Sequence, residues 1–206
     1  LARIGVNEDG EELYINKRAV EADRIIVVSS VEPHYFAGFT GGRKSFLPGI
    51  AWYQNIERNH RFALESAARS LALEGNPVHE RMEKFARMAA GEKTYGVMCV
   101  VDAGGEMVYA SAGDLFKSFY DCVEVAKRVY AVEIPERGDV VVTVAPYPMD
   151  INLYQSQKAI DNGKYALKEG GTLILVSECR DGIGPSAFYD LLSQEHTPEG
   201  VLERIR

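Results

Sequence analysis

Two short runs dominated by branched aliphatic residues, ADRIIVVSS at 22–30 and DVVVTVA at 139–145, constrain this chain most. Each has the length and composition of a buried strand. The first passes directly into a histidine- and glycine-bearing loop that includes AGFTGGRKS at 37–45, at the strand end where open α/β sheets place their ligands. The second passes into the loop PYPMD, then a stretch of helical period, then a further strand at Thr172 to Ser177. Strand, loop, helix and strand in that order make a βαβ unit and imply a parallel sheet. The expected fold class is therefore α/β: two α/β domains with mainly parallel sheets, plus a β-hairpin in the first.

The remaining elements fit around those runs. A helical period extends from Tyr53 to about Leu73, with Ile56, His60, Ala63 and Ala67 on one face, and Gly75 ends it. Asn76-Pro77 restarts a helix, with Asn as cap and Pro in the first turn, running to about Ala90. Residues 95–101 and 107–111 read as strands joined by the turn DAGGE, and Asp114 caps a helix to about Tyr130. The segment EIPERG at 133–138 breaks the pattern. We expect a boundary there, with a first domain over 1–134 and a Rossmann-like βαβ domain over 135–206. The last helix is expected from about Asn152 to Lys168, with Gly170-Gly171 turning the chain. The sequence opens at Leu1 in LARIGVNEDGEELYIN, which reads as the middle of a domain, and stops at LERIR within a helical pattern. A piece of a longer protein is expected.

Charge limits the partners. The formal net charge is −7 and no long basic run occurs, so the chain gains nothing from counterion release on a phosphate backbone. No nucleic acid is expected. No apolar run approaches a membrane span, so no membrane is expected either. Cys99, Cys122 and Cys179 are scattered without a CxxC, which argues against a disulfide framework or structural zinc and for a reducing cytoplasm.

Candidate chemistry gathers between Glu32 and Arg61. His34 sits in a loop rich in aromatics, where a ring of near-neutral pKa serves as acid or base, or simply packs. The glycines of 37–45 let backbone approach an anion. Arg43 separates Gly42 from Lys44, so the Walker pair GK is absent and a nucleoside-triphosphate loop is disfavoured. Lys44 is a phosphate contact, a covalent anchor or a solvated lysine. His60 lies inside a helix, where a core role is usual; as a metal ligand it would need donors from outside the side chains. Downstream, Gln155 and Lys158 are i,i+3 neighbours near a helix start with Tyr154 beside them, a combination suited to a small carboxylate. His79 and His196 read as structural or solvated.

His34, the GGRK ending in Lys44 ten residues on, and His60 sixteen beyond resemble the lactate racemase family, the nickel-pincer-dependent 2-hydroxy acid racemases and epimerases. Gln155 and Lys158 extend the pattern at the family's separation. The resemblance covers essentially the whole chain and implies definite roles. Lys44 would be joined by a thioamide to a nicotinic-acid-derived mononucleotide, loaded by dedicated cofactor maturation enzymes. His60 would be the one protein ligand to nickel, a carbon and two sulfurs of the cofactor supplying the rest. His34 would be one of two histidine bases, and Gln155 and Lys158 would orient the carboxylate and oxygen of a small 2-hydroxy acid substrate. The reaction implied is hydride removal from C2 with proton removal from the hydroxyl, then return to either face of the flat keto acid. In the family, the second base and the cofactor-phosphate residues lie upstream of the position of Leu1, so this chain alone is expected to be inactive. Two other readings stand beside this one. A nicotinamide-dependent oxidoreductase suits the βαβ unit, but PYPMD replaces a GxGxxG. A non-catalytic small-anion-binding domain would use Lys44 and Lys158 alone.

Overall fold

The computed structural model describes residues 1–205. The chain is mixed α/β and divides into two compact units, Leu1–Ala131 and Val132–Arg206.

The first unit opens with a hairpin of β1 (Ala2–Val6) and β2 (Glu12–Ile15). Asn7 builds its turn: the side-chain oxygen accepts from the backbone N–H of Asp9 and of Glu11. The expectations above did not include this hairpin, although Asp9-Gly10 is a turn signal. A short α1 (Lys17–Glu21), capped by Asn16, leads into β3 (Ile25–Ser30). The two-residue strands β4 (Pro33–His34) and β5 (Gly38–Phe39) pair antiparallel in the loop beyond it. Then come α2 (Tyr53–Arg61) and α3 (Pro77–Ala90). As expected, Asn76 caps α3, accepting from Val78 and His79.

β6 (Thr94–Val101) lies parallel to β3, and β7 (Met107–Gly113) returns antiparallel beside β6 as the expected hairpin. α4 (Leu115–Tyr130), capped by Asp114, packs on this sheet. Leu115, Phe119, Cys122, Val123 and Ala126 of α4 share one core with Val27, Met98 and Val100 of the strands. The spacing of those α4 residues is the i, i+3, i+4 stripe of a helix buried on one side. β3 departs from the buried-strand reading: Val27 is buried, while Ile26 and Val28 are 68% and 73% exposed. Only one face of the strand is covered.

The helix expected to about Leu73 is corrected. It ends at Arg61, tightens into a 3-10 turn over Phe62–Leu64, and Glu65 is already extended. Tertiary contacts override the period beyond that point. The Leu71 N–H donates to the Gly38 carbonyl at 3.1 Å, and the Ala72 carbonyl accepts from the Asn76 side chain. The segment is tied under the glycine loop rather than wound into helix.

In the second unit, β8 (Gly138–Val144), α5 (Leu153–Gly163) and β9 (Leu167–Val176) form the expected parallel βαβ unit. Two boundaries move. α5 stops at Gly163, five residues short of Lys168, and Gly170-Gly171 lies within β9 at an irregularity in the ladder rather than in a turn before it. Gly138 pairs with Leu167, and the next pairing joins Val140 to Thr172. α6 (Ser186–Ser193) and α7 (Pro198–Ile205) follow. Among the described residues no helix is long and apolar enough to cross a membrane.

Candidate active site

The loop after β3 is fixed by glycines and by one buried arginine. Gly38, paired with His34 across the β4–β5 turn, has φ +75°, and a Cβ there would stand 2.1 Å from the Ala72 carbonyl oxygen. Gly42 has φ +52° and lies against the Phe119 ring, where a Cβ would be 2.9 Å away. No other residue type suits either position.

Arg43 is 1% exposed. Its Nη2 donates to the Ala37 carbonyl at 2.6 Å and its Nε to His79 Nδ1 at 2.9 Å. Longer bonds from Nη1 reach the carbonyls of Gly41 and Thr40, and the guanidinium lies 4.5 Å from the centre of the Phe119 ring. Burial lowers its pKa to about 10, so it stays charged at neutral pH. The residue that breaks the Walker pattern thus has a role of its own: it clamps the loop from inside. Its partner His79 matches the structural reading. Burial, then the charge on Arg43, pushes that imidazole down to about 4. His79 Nε2 faces Glu83 at 3.2 Å, and Glu83 accepts from Tyr120 and Arg87. Burial raises the Glu83 carboxyl, but those two hydrogen bonds and the Arg87 charge outweigh it and hold the group below its ordinary range.

With the loop so held, the 3-10 turn Gly42–Ser45 presents Lys44, α2 presents His60, and β4 presents His34. All three meet at Phe36. The His34 ring lies 4.6 Å from the Phe36 ring, the His60 ring 5.2 Å, and the Lys44 ammonium 5.7 Å. Phe36 itself is buried. The three residues singled out in the sequence are therefore one cluster, arranged around an aromatic ring that the motif did not identify.

Each histidine has a defined tautomer. His60 Nδ1 lies 2.7 Å from the Ile56 carbonyl, which can only accept, so the proton is on Nδ1 and Nε2 carries the lone pair. Burial lowers its pKa, the Ile56 bond raises it, and the Lys44 charge lowers it further. The net direction is down, which leaves the ring neutral at pH 7. His34 is the reverse. Its Nδ1 accepts from the Ala37 N–H at 3.2 Å, so its neutral ring carries the proton on Nε2. One ring offers a lone pair and the other a proton. The Ile56/His60 face of α2 expected from the period is partly buried, with Ile56 packed against the core, and the fully buried positions lie one residue before it on the helix. Its buried residues are Asn55 and Asn59.

In the second unit, Asn152 caps α5 by accepting from the Gln155 N–H, and Lys158 Nζ donates to Gln155 Oε1 at 2.8 Å. The two candidate residues are paired as the spacing predicts. Ser156, between them and buried, bonds to the Met149 and Asn152 carbonyls and to Ser177 Oγ. These bonds pin the PYPMD loop and the start of α5 to the end of β9. Tyr154 packs edge-on against Phe188 of α6. Among the described residues no group of three or more His, Cys, Asp or Glu could hold a metal.

Two family models match the chain: the lactate racemase N-terminal domain over residues 1–71 and the lactate racemase C-terminal domain over 134–206. A lactate racemase of Thermoanaerobacterium thermosaccharolyticum is 38% identical over 204 residues, covering 98% of this chain and 47% of that protein. One from Lactiplantibacillus plantarum is 35% identical, covering 99% of this chain and 48% of that protein. The solved structure of the lactate racemase apoprotein from T. thermosaccharolyticum superposes with a TM-score of 0.92 at 39% identity, over 98% of this chain and 49% of that one. A Thermotoga maritima protein of 18% identity shares the fold at a TM-score of 0.66 over 84% of this chain. The chain spans about half the length of the relatives it matches.

Proposed function

The chain belongs to the lactate racemase family, and from that premise we propose that it carries the cofactor-anchoring and substrate-orienting parts of a racemase or epimerase for a small, lactate-like 2-hydroxy acid. The observation that carries the proposal is the convergence of His34, Lys44 and His60 on the Phe36 ring.

The residues present fit a lysine-tethered nickel-pincer nucleotide. His60 offers one neutral nitrogen lone pair at Nε2, with its proton donated to the Ile56 carbonyl, the hydrogen bond usual for the other nitrogen of a metal-ligating imidazole. A lone histidine ligand suits a metal whose other donors come from the cofactor. Lys44 would hold the group through its amine. When bound, the group supplies a hydride acceptor for C2 of the substrate.

His34 handles the proton on the substrate oxygen. The Ala37 N–H sets a resting tautomer with the proton on Nε2. To act as base the ring gives up the Ala37 bond, shifts its proton to Nδ1 and takes the hydroxyl proton at Nε2, forming imidazolium. The same imidazolium returns that proton from Nε2 to the oxygen of the keto acid, which regenerates the neutral ring. Lys158 gives a charge-assisted bond to the carboxylate, and Gln155, held by Lys158 through Oε1, keeps its amide N–H groups directed for a second one.

The test uses the full-length protein co-expressed with cofactor maturation enzymes. Intact-mass and metal analysis should find a covalent adduct on Lys44 together with nickel, and chiral analysis should find racemisation of lactate, with malate and bulkier hydroxy acids compared in the same screen. His34→Ala should abolish turnover and retain the adduct. Absence of both nickel and adduct sinks the proposal; loss of the adduct in His34→Ala makes that residue structural.

A further inference from the structure

We propose that Asn76 is a positioning residue for His34: the side chain that caps α3 also holds the peptide unit whose N–H engages the imidazole. The inference rests on reading His34 as the group that moves the substrate proton.

Asn76 is fully buried, and both halves of its amide are used. Its Oδ1 accepts from the N–H groups of Val78 and His79, which is all that a helix cap requires. Its Nδ2 carries two hydrogens and donates to two carbonyls, that of Phe36 at 2.9 Å and that of Ala72 at 3.0 Å. Serine or aspartate caps a helix as well as asparagine does, but neither brings an amide pair of donors. The donor half is what asparagine adds at this position.

That half acts on the loop. The Phe36 carbonyl and the Ala37 N–H belong to one planar trans peptide unit and point to opposite sides of it, so a bond that fixes the first aims the second. The Ala37 N–H donates to His34 Nδ1 at 3.2 Å. The next peptide unit is held separately. Its carbonyl, that of Ala37, accepts from Arg43, and Arg43 is bonded to His79 in the first turn of α3. That bond leaves the unit before it able to turn about the Ala37 torsions, and the Asn76 bond removes this freedom. Both peptide units around the buried Ala37 are therefore moored to the start of α3, which gives the His34 ring a fixed resting place.

The test replaces Asn76 by Ser, which keeps a cap oxygen and removes the amide donors. Asn76→Asp does the same at nearly constant volume and serves where the smaller side chain leaves a void. Amide exchange and ring-nitrogen resonances are read in the full chain. In the native chain His34 Nδ1 should resonate as an unprotonated acceptor. In the variants it should move toward the value of a freely exchanging imidazole, and the Ala37 amide should exchange at least about tenfold faster, the loss of about one hydrogen bond. The Val78 and His79 amides, still capped, should change far less. In the full-length protein co-expressed with the maturation enzymes, kcat should fall at least about tenfold with KM nearly unchanged and the Lys44 adduct retained, because an unseated ring must find its reactive orientation in each turnover. The proposal is overturned if Nδ1 is protonated in the native chain, if the variants leave the His34 ring and Ala37 exchange unmoved, or if kcat holds while the native protein turns over. Equal opening of the Val78 and His79 amides also overturns it, since Asn76 would then be a cap and no more. A ring response as expected, without racemisation by the native full-length protein, supports the mooring and overturns the racemase reading alone.

Discussion

Replacing Arg43 by Met tests whether the glycine loop is clamped from inside. Met keeps most of the stem and removes the guanidinium, so the Ala37 carbonyl and His79 Nδ1 lose donors at 2.6 and 2.9 Å. The bonds to Gly41 and Thr40, at 3.3 and 3.4 Å, are long and contribute little. Leaving two well-bonded buried acceptors unpaired costs about 1–3 kcal/mol each. Relief of the desolvation penalty on the buried guanidinium offsets part of that. The expected net loss is about 2–4 kcal/mol, a large share of a stability on the order of 5–15 kcal/mol. The chain's single tryptophan, Trp52, lies in the first unit against Tyr14, so its fluorescence during urea unfolding reports this unit. The midpoint should fall at unchanged slope. Hydrogen exchange at the Lys44 amide, bonded to the Gly41 carbonyl in the native loop, should speed up in parallel. Arg43→Lys should recover less than half the loss, because one ammonium cannot reproduce a fork reaching both His79 and Ala37. A loss below about 1 kcal/mol with unchanged exchange would refute the clamp.

Acidification should weaken the first unit through His79: its folded pKa of about 4 lies below the ordinary 6.5, so only the unfolded chain takes up a proton between those values. Stability should therefore fall as pH drops from about 6.5 to about 4, by up to ~3 kcal/mol, and His79→Gln should flatten that slope in urea titrations; a flat native profile would refute the assignment. Gly38→Ala and Gly10→Ala form a matched pair, since both glycines have φ near +76° by their values of +75° and +77°, but only at Gly38 does a Cβ meet backbone. The first should cost at least ~2 kcal/mol more than the second, which carries the conformational penalty of ~1 kcal/mol alone, and equal costs would exclude the clash.

Much of the fold was legible because its signals are local. The caps Asn76 and Asp114, the DAGGE hairpin and the β8–α5–β9 unit follow from residue types at fixed offsets. The errors fall where distant contacts decide. Residues 65–73 keep a helical period, yet their backbone is bonded to Gly38 and Asn76 instead. The fully buried positions of α2 beside Ile56 are two asparagines, which no apolar pattern marks. At the site, spacing named His34, Lys44 and His60 but not their common neighbour Phe36, and it gave Arg43 only as an interruption of a motif. The one signal for Arg43 was its position, directly after two glycines and beside a lysine that needed a rigid platform.

The charges around Phe36 bear on how His60 can serve a metal. Burial is the larger cause holding that imidazole neutral, and the Lys44 ammonium is a smaller one acting the same way. An amide-type link at Lys44 Nζ removes the ammonium charge, as acylation of any lysine does. If the ammonium were the main cause, attachment would raise the His60 pKa and set a proton in competition with the metal at Nε2. Because burial dominates, the lone pair stays available before and after attachment. The Ile56 carbonyl works against neutrality, yet it fixes the proton at Nδ1, so the nitrogen left open is the one facing away from the helix backbone. The proposed anchoring at Lys44 and the proposed ligation at His60 are thus electrostatically compatible within one cluster, because burial and not the Lys44 charge is the larger cause of the shift.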